Sequence, residues 1–156
     1  MADPEPQPAP SFSIQKIYVK DLSIESPGAP KSFFTQETPQ VEVGLRTRGE
    51  QIETDVYECV LTVTVTAKVG EKILFLVEAA QGGVFQIRGV PVADIQPIIG
   101  IHCPNVLFPY IRETIADAIT RAGFPPIHLE PINFELLYQQ QLASLAQQPA
   151  ASPIPS

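Results

Sequence analysis

The side chains that could do chemistry in this chain are few and widely separated. His102 and His128 are the only histidines, and neither has a second ligand at helical or turn spacing. A zinc site needs three or four such ligands. Cys59 and Cys103 lack the spacing of a metal or redox motif, and in a reducing compartment each is typical of a small buried hydrophobic residue. The pattern predicts no metal site and no cofactor.

Acidic pairs are the remaining candidates for acid–base catalysis. Asp55 and Glu58 lie three residues apart in a predicted extended segment, which places them on opposite faces. Glu113 and Asp117 share a predicted helix face, where a solvated surface is the more common arrangement. No Ser or Cys has the sequence context of a nucleophile, and no Gly-rich loop has a phosphate-binding pattern. We therefore expect a protein that is not an enzyme. A sheet-and-helix domain with a ligand or catalytic site built from remote residues stays open as an alternative.

Charge and composition limit the class of partner. The chain has 156 residues, with 17 acidic and 10 basic side chains and a net charge of −7. Such a surface does not suit a nucleic-acid backbone, but it suits a partner with a basic segment. No stretch approaches the roughly 18 apolar residues of a membrane span, and the first ten residues lack the features of a signal peptide. We expect no nucleic-acid partner, no membrane insertion and a cytoplasmic location.

The length is typical of one domain, and the prolines indicate where it ends. Seven of the 17 prolines lie within residues 1–11 and 146–156. These two segments are predicted to be disordered tails, because they cannot bury enough apolar area to offset the entropy lost on ordering. Residues 12–145 are predicted to form the single folded domain.

The first half of this domain has the alternation of β-strands. Residues 12–24 predict one long strand with bulges near Gln15 and near Lys20, because its apolar parity switches twice. A long connection over residues 27–39 leads to a second strand that starts after Pro39. Long loops inside compact domains are often functional.

The third and fourth predicted strands form a hairpin. Residues 62–69 alternate Thr or Lys with apolar side chains, and Gly70-Glu71 forms the turn. The fourth strand is predicted over residues 73–81, ending at Gly82-Gly83. Its five leading residues are all apolar, so that one face needs cover from elsewhere, and we expect self-association to provide it.

The second half changes to helical spacing. Leu107, Ile111, Ile115 and Ile119 are four residues apart and predict an amphipathic helix that opens near Pro104 and ends by Gly123. A last helix is predicted to begin near Asn133, a favourable N-cap residue. The predicted fold class is α+β: a four-stranded antiparallel sheet with two C-terminal helices packed on one face, and a long crossover between strands 1 and 2.

Five segments resemble, in the same order, the SecB family of bacterial protein-export chaperones. They are residues 17–21 (IYVKD), 55–58 (DVYE) leading into 63–67 (VTVTA), 81–83 (QGG) with Phe85, 103–110 (CPNVLFPY) followed by Arg112-Glu113, and 131–134 (PINF). The resemblance implies a homotetramer built as a dimer of dimers. It also implies binding of unfolded precursor proteins in the cytosol and their delivery to the translocation motor SecA, without a nucleotide or metal on the chaperone.

The resemblance also implies roles for residues of the first and fourth strands. Asp21, Glu25, Leu76 and Glu78 match family positions that contact SecA. If these strands are neighbours, the four residues form one acidic patch with an apolar centre, which would attract a basic peptide. Val77, Ala79 and Gln81 match positions at the contact between dimers.

Client binding needs a different surface, because a chaperone that accepts many sequences relies on apolar grooves and backbone contacts. The predicted groove residues are aromatic: Phe33, Phe34, Tyr110, Phe134 and Tyr138. Glu37 stands where the family often has Trp, and Phe33 and Phe34 are candidates to replace that ring. A purely structural oligomer subunit, which would assemble without holding activity, is the remaining alternative.

Overall fold

The computed structural model of the chain describes residues 9–147. The elements are, in order, β1 (Ser11–Glu25), a 3-10 turn (Lys31–Phe34), β2 (Gln40–Glu53), β3 (Val56–Val69), β4 (Lys72–Arg88), α1 (Val92–Pro97), a π-helical turn (Ile98–His102), α2 (Cys103–Arg121) and α3 (Phe134–Gln147). The predicted tails fall outside the described residues, except at their inner ends. Ser11 already belongs to β1, and α3 continues to Gln147.

The four strands form one antiparallel sheet in the order β1-β4-β3-β2. Strands β2, β3 and β4 follow one another as hairpins, and residues 26–39 carry the chain from β1 across to the opposite edge. The register of β1 against β4 shifts between Ile14 and Lys16 and again between Val19 and Asp21. Both bulges predicted from the change in apolar parity are confirmed, as is the four-stranded sheet.

The sheet has one face covered by helix, here called the helix face, and an opposite open face. Leu61, Val63, Val65 and Ala67 of β3 lie on the helix face and are fully buried. They meet the four-residue-spaced side chains of α2 (Leu107, Ile111, Ile115 and Ile119), which are also fully buried. Each of these Leu, Val and Ile side chains contributes roughly 1.5–3 kcal/mol by leaving water. The Thr side chains that alternate with them lie on the open face.

Strand β4 does not end at Gly82-Gly83, as predicted, but continues to Arg88. The two glycines are places where rings lie against the backbone. A Cβ on Gly82 would lie 2.5 Å from the ring of Tyr18, and one on Gly83 would lie 2.6 Å from the ring of Phe85. Glycine in a strand interior often marks such a close approach, and here it makes room on both faces without ending the strand.

The helical half begins earlier than predicted. The short helix α1 and the π-helical turn precede α2 directly, and neither has buried residues that would give a clear apolar period. The end of α2 agrees with the prediction, since Gly123 has a φ of 95° shortly after the last helical residue. The Asn133 cap is confirmed, because the N–H of Leu136 donates to its Oδ1 at 2.9 Å. Helix α3 packs mainly on the π-helical turn, where the ring of Tyr138 lies against Gly100.

The apolar run at the start of β4 is covered within the subunit only in part, since Ile73 is 37% exposed and Leu76 is half-buried on the open face. Phe75 and Val77 are buried on the helix face, and Leu74 is 8% exposed. Further exposed apolar side chains lie on β1. Ile14, Val19 and Leu22 are 45–48% exposed and oppose helix-face residues of β4. Helix α2 covers the middle of the sheet and leaves this edge bare.

Candidate functional site

An apolar groove lies where the 27–39 loop meets the segment that follows α2. Its volume is about 510 Å³. Its apolar lining comes from four separate stretches of the chain: Phe33, Pro39, Val41, Leu74, Phe75, Phe124, Pro125, Pro126 and Ile127. No single segment of the sequence contains this surface, which exists only once β2, β4 and both loops meet.

A row of three aromatic rings runs from the surface of the groove into the core. The rings of Phe33 and Phe124 are 5.1 Å apart between centroids, and those of Phe124 and Phe75 are 5.0 Å apart. The ring of Phe33 can approach the backbone at Gly123 because glycine has no Cβ. A Cβ at this position would lie 2.9 Å from the ring. Phe33 is 46% exposed and Phe75 only 3%. The groove therefore has a fixed aromatic floor and an accessible aromatic rim.

Of the five aromatic residues predicted for client binding, only Phe33 lines this groove. Phe34 follows it in the same turn and is 81% exposed beside the groove. Phe134 and Tyr138 of α3 do not contribute within the subunit. Phe134 is 2% exposed and packs on Phe108, and Tyr138 is half-buried against Gly100.

Tyr110 lies on a different flank of α2. It precedes Thr114 by one helical turn, and the Thr114 hydroxyl contacts Gln81 Oε1 at 3.2 Å, on the side that faces β1. Its exposed ring is therefore near the bare edge of the sheet, away from the groove. The structure therefore does not bring the five aromatic residues together in one groove of a single subunit, since α2 carries Tyr110 to another flank and α3 packs on the π-helical turn. Their part in client binding stays a prediction.

Glu37, which stands where the family often has Trp, lies in the groove lining. The residues missed from the sequence are Val41, Phe75, Phe124 and Ile127. The sequence offers one hint for Phe124 as a groove residue, since it follows the helix-ending Gly123. For Val41 it offers only the alternation of the strand, which does not indicate a groove.

The four residues predicted to contact SecA lie together on the open face. Asp21 pairs with Ala80 across β1 and β4, and Glu25 pairs with Leu76. Glu78 lies between these two pairs, opposite Ser23. The predicted neighbourhood of β1 and β4 is thus confirmed, and Asp21, Glu25, Leu76 and Glu78 are here called the acidic patch. Its surroundings are less acidic than predicted, since Arg46 Nη2 lies 3.8 Å from Glu78 Oε1.

A hydrogen-bonded cluster adjoins the acidic patch. Lys20 Nζ donates to both carboxylate oxygens of Glu58 at 2.8 and 2.9 Å, the Tyr18 hydroxyl donates to Oε2, and Arg48 Nη2 lies 3.8 Å from Oε1. These donors lower the pKa of Glu58 below its ordinary value, with the Lys20 hydrogen bond the largest cause. Burial, followed by the hydrogen bond to Glu58, raises the pKa of Tyr18 to about 12. The cluster ties β1 to β3 across Gly82.

Glu58→Gln is expected to destabilise the fold by about 1–2 kcal/mol at pH 7, because it removes a charge that hydrogen bonds from Lys20 and Tyr18 and the nearby charge of Arg48 stabilise. The folded-state pKa of Glu58 is below its ordinary 4.5, so the ionised carboxylate stabilises the fold above about pH 4.5. That contribution is lost as the pH falls further. Thermal unfolding at pH 7, 5 and 3.5 should therefore give a smaller loss on acidification for Glu58→Gln than for the wild type. The exposed Glu50→Gln is the control, and an unchanged pH dependence for Glu58→Gln would contradict the assignment.

Val77, Ala79 and Gln81, predicted at the contact between dimers, face α2 of their own subunit. Their exposed fractions are 0%, 1% and 3%. The side-chain amide of Gln81 also donates to the Tyr18 carbonyl at 3.1 Å. Within one subunit these side chains support α2 and expose almost no area of their own. Their place at the contact between dimers stays a prediction.

Neither metal ligands nor a membrane span emerges from the part of the chain that the structure describes. Within residues 9–147, no three His, Cys, Asp or Glu side chains are grouped to hold a metal ion. No helix in the same range is long and apolar enough to cross a membrane. Cys59 and Cys103 are free thiols buried in the core, as predicted.

Known proteins share this sequence over almost its whole length. The family model described as preprotein translocase subunit SecB matches residues 5–145. Protein-export protein SecB from Burkholderia mallei is 56% identical over 148 residues, which are 95% of this chain and 92% of the relative. The protein of the same name from Nitrosospira multiformis is 55% identical over 141 residues, with 90% and 87% coverage.

A solved structure shares the fold at much lower identity. A SecB-like chaperone from Mycobacterium tuberculosis, in complex with a ChAD peptide from an antitoxin, has a TM-score of 0.66 and 14% identity. The match covers 78% of this chain and 90% of that one. The family expected from the five sequence segments is confirmed by the match over residues 5–145 and by these relatives: the chain belongs to the SecB family of protein-export chaperones.

Proposed function

We propose that this chaperone binds unfolded precursor proteins in the cytosol through its apolar groove, and delivers them to SecA through the acidic patch. The observation that carries the proposal is the groove itself. It is open and apolar, has a volume of about 510 Å³ and carries Phe33 at its rim. A groove of this kind recognises apolar side chains without demanding a particular sequence.

The strength of holding follows from the apolar area that a client buries. One aromatic side chain entering the groove contributes roughly 1.5–3 kcal/mol, which corresponds to about 10- to 150-fold in the dissociation constant. That is weak for one site. Several grooves on one oligomer that engage the same unfolded chain raise the affinity by avidity. A protein that binds unfolded and not native chains keeps its clients from folding by mass action.

Assembly into a homotetramer, as a dimer of dimers, is the second part of the proposal. Strand β1 is at the edge of the sheet, and an unpaired edge is a template for pairing with another chain. Ile14, Val19 and Leu22 add apolar area along this edge. A second copy that covers β1 would remove both the unpaired strand edge and these apolar side chains from water.

Docking on SecA is the third part. Three carboxylates lie on the open face with Leu76, away from the groove. A basic segment of the motor is attracted to such a patch, and the attraction weakens as salt is added. Because the two surfaces are separate, the chaperone can hold a client while it contacts the motor.

One experiment tests both surfaces. A denatured and reduced client is diluted into the purified protein without nucleotide, and light scattering follows aggregation. The wild type and Glu78→Lys are both expected to suppress aggregation at near-stoichiometric amounts, while Glu78→Lys loses at least tenfold in affinity for SecA. An intact tetramer that gives no protection would support the purely structural alternative. Equal loss of both activities in Glu78→Lys would show that the two surfaces are not separate.

A further inference from the structure

Two neighbours of Glu78 act on its carboxylate in opposite ways. We propose that Thr64 is a positioning residue that holds this carboxylate for docking, and that Arg46 competes with the basic group of the docking partner. The inference rests on the proposed docking of SecA at the acidic patch, and it adds two residues that set the strength of that contact.

Thr64 is the direct cross-strand neighbour of Glu78, since the two residues pair between β3 and β4. Its hydroxyl donates to Glu78 Oε2 at 3.0 Å. The hydrogen bond fixes one oxygen of the carboxylate and orders a side chain that would otherwise sample several rotamers. A partner that binds an ordered carboxylate loses less conformational entropy on binding.

Arg46 reaches the other oxygen of the same carboxylate from β2. Its Nη2 lies 3.8 Å from Oε1, beyond hydrogen-bond distance, and the side chain is 73% exposed. Such an exposed ion pair is weak and easily broken. Oε1 is therefore the oxygen that an incoming cation meets, and that cation must displace Arg46.

Among the acids of the patch, only Glu78 has both a hydrogen-bond donor and a basic side chain beside its carboxylate in the described residues. Within residues 9–147, neither the Asp21 nor the Glu25 carboxylate has a hydrogen bond or an ion pair. A cavity of about 600 Å³ lies beside Glu78, and its charged lining consists of Asp21, Glu78, Arg46 and the Glu58 partners Lys20 and Arg48. The cavity provides room for the partner's side chain next to Oε1.

The test measures the affinity for SecA by titration calorimetry at low salt for three variants. Thr64→Val keeps the shape but removes the donor, and is expected to weaken binding about 2- to 5-fold. Thr64→Ser restores the hydroxyl and should remain within about twofold of the wild type. Arg46→Gln is expected to tighten binding about 2- to 5-fold, and this gain should disappear at high salt.

Two controls separate local from general effects. Arg88→Gln makes the same change in net charge at the far end of β4 and should give a smaller gain than Arg46→Gln. In a Glu78→Gln background, Arg46→Gln should lose most of its gain. Equal melting temperatures and equal client holding show that the Thr64 variants remain folded.

The outcomes distinguish this inference from the docking proposal. If Glu78→Gln weakens SecA binding while Thr64→Val and Arg46→Gln behave as the wild type, docking at the patch stands and the inference is overturned. If Glu78→Gln has no effect on SecA affinity, the patch is not the docking site and both fail. The inference would be established if Thr64→Val weakens and Arg46→Gln tightens SecA binding, and if both changes in affinity disappear in a Glu78→Gln background.

Discussion

Val41→Asp is expected to weaken client holding at least tenfold. Val41 lines the groove and is 42% exposed, so an aspartate there is tolerated in the free protein. A client ring that enters the groove would take water away from this carboxylate without offering it a hydrogen bond. A loss of about 1.4 kcal/mol already corresponds to tenfold in affinity. The measurement is a titration of a fluorescently labelled, reduced and unfolded client.

Val43→Asp is the matched control for this prediction. Val43 lies on the same face of β2, two residues further on, and is 51% exposed, but it does not line the groove. The same substitution there should leave client affinity within about twofold of the wild type. Similar losses at both positions would mean that clients bind along the strand and not in the groove.

Leu22→Glu is expected to dissociate the assembly and, with it, most of the holding activity. Leu22 belongs to the apolar edge of β1 and is 45% exposed in the subunit. A glutamate placed there would lie at the contact between copies, where the burial of an unpaired charge costs several kcal/mol. Light scattering coupled to size exclusion should give a smaller mass at micromolar concentration. Client affinity should fall as well, since fewer grooves then act on one chain.

Leu136→Glu on α3 provides the comparison, because Leu136 is 50% exposed on a helix that packs mainly on the π-helical turn. This variant should keep the wild-type mass. A Leu22→Glu protein that retains the full mass would show that the copies associate through another surface, and the role given to β1 would be withdrawn.

The elements that follow a simple period could be predicted from the sequence. The alternation of Thr and apolar residues in β3 and the four-residue spacing in α2 each require one buried face, and that requirement fixes the element. The two switches of parity in β1 indicated bulges at the correct places. Local chemistry also placed the cap at Asn133, because its side chain acts on the backbone three residues later.

Features that depend on distant neighbours could not be predicted. The glycine pair Gly82-Gly83 predicts a strand end, because nothing in the sequence reveals that the rings of Tyr18 and Phe85 lie over these residues. Phe134 and Tyr138 are aromatic residues of the kind found on binding surfaces. In the structure α3 packs on the π-helical turn, where Gly100 leaves room for the ring of Tyr138. The groove joins Val41, Phe75 and Phe124 from separate elements, so only the folded chain identifies it.

The acidic patch shows the same division. The shared parity of Asp21 with Glu25, and of Leu76 with Glu78, placed each pair on one face of its strand, and the register of β1 on β4 brings the two pairs to the same face. The basic neighbour Arg46 comes from β2, two strands away, and its approach to Glu78 follows from the strand order alone.

The central claim is that clients occupy the groove, and site-specific photo-cross-linking tests it most directly. A photoreactive phenylalanine analogue replaces Phe34, which is exposed beside the groove, or Arg46 on the open face. The probes are irradiated in the presence of a denatured client. We expect strong cross-linking from position 34 and little from position 46. Cross-linking from position 46 with none from position 34 would contradict the account.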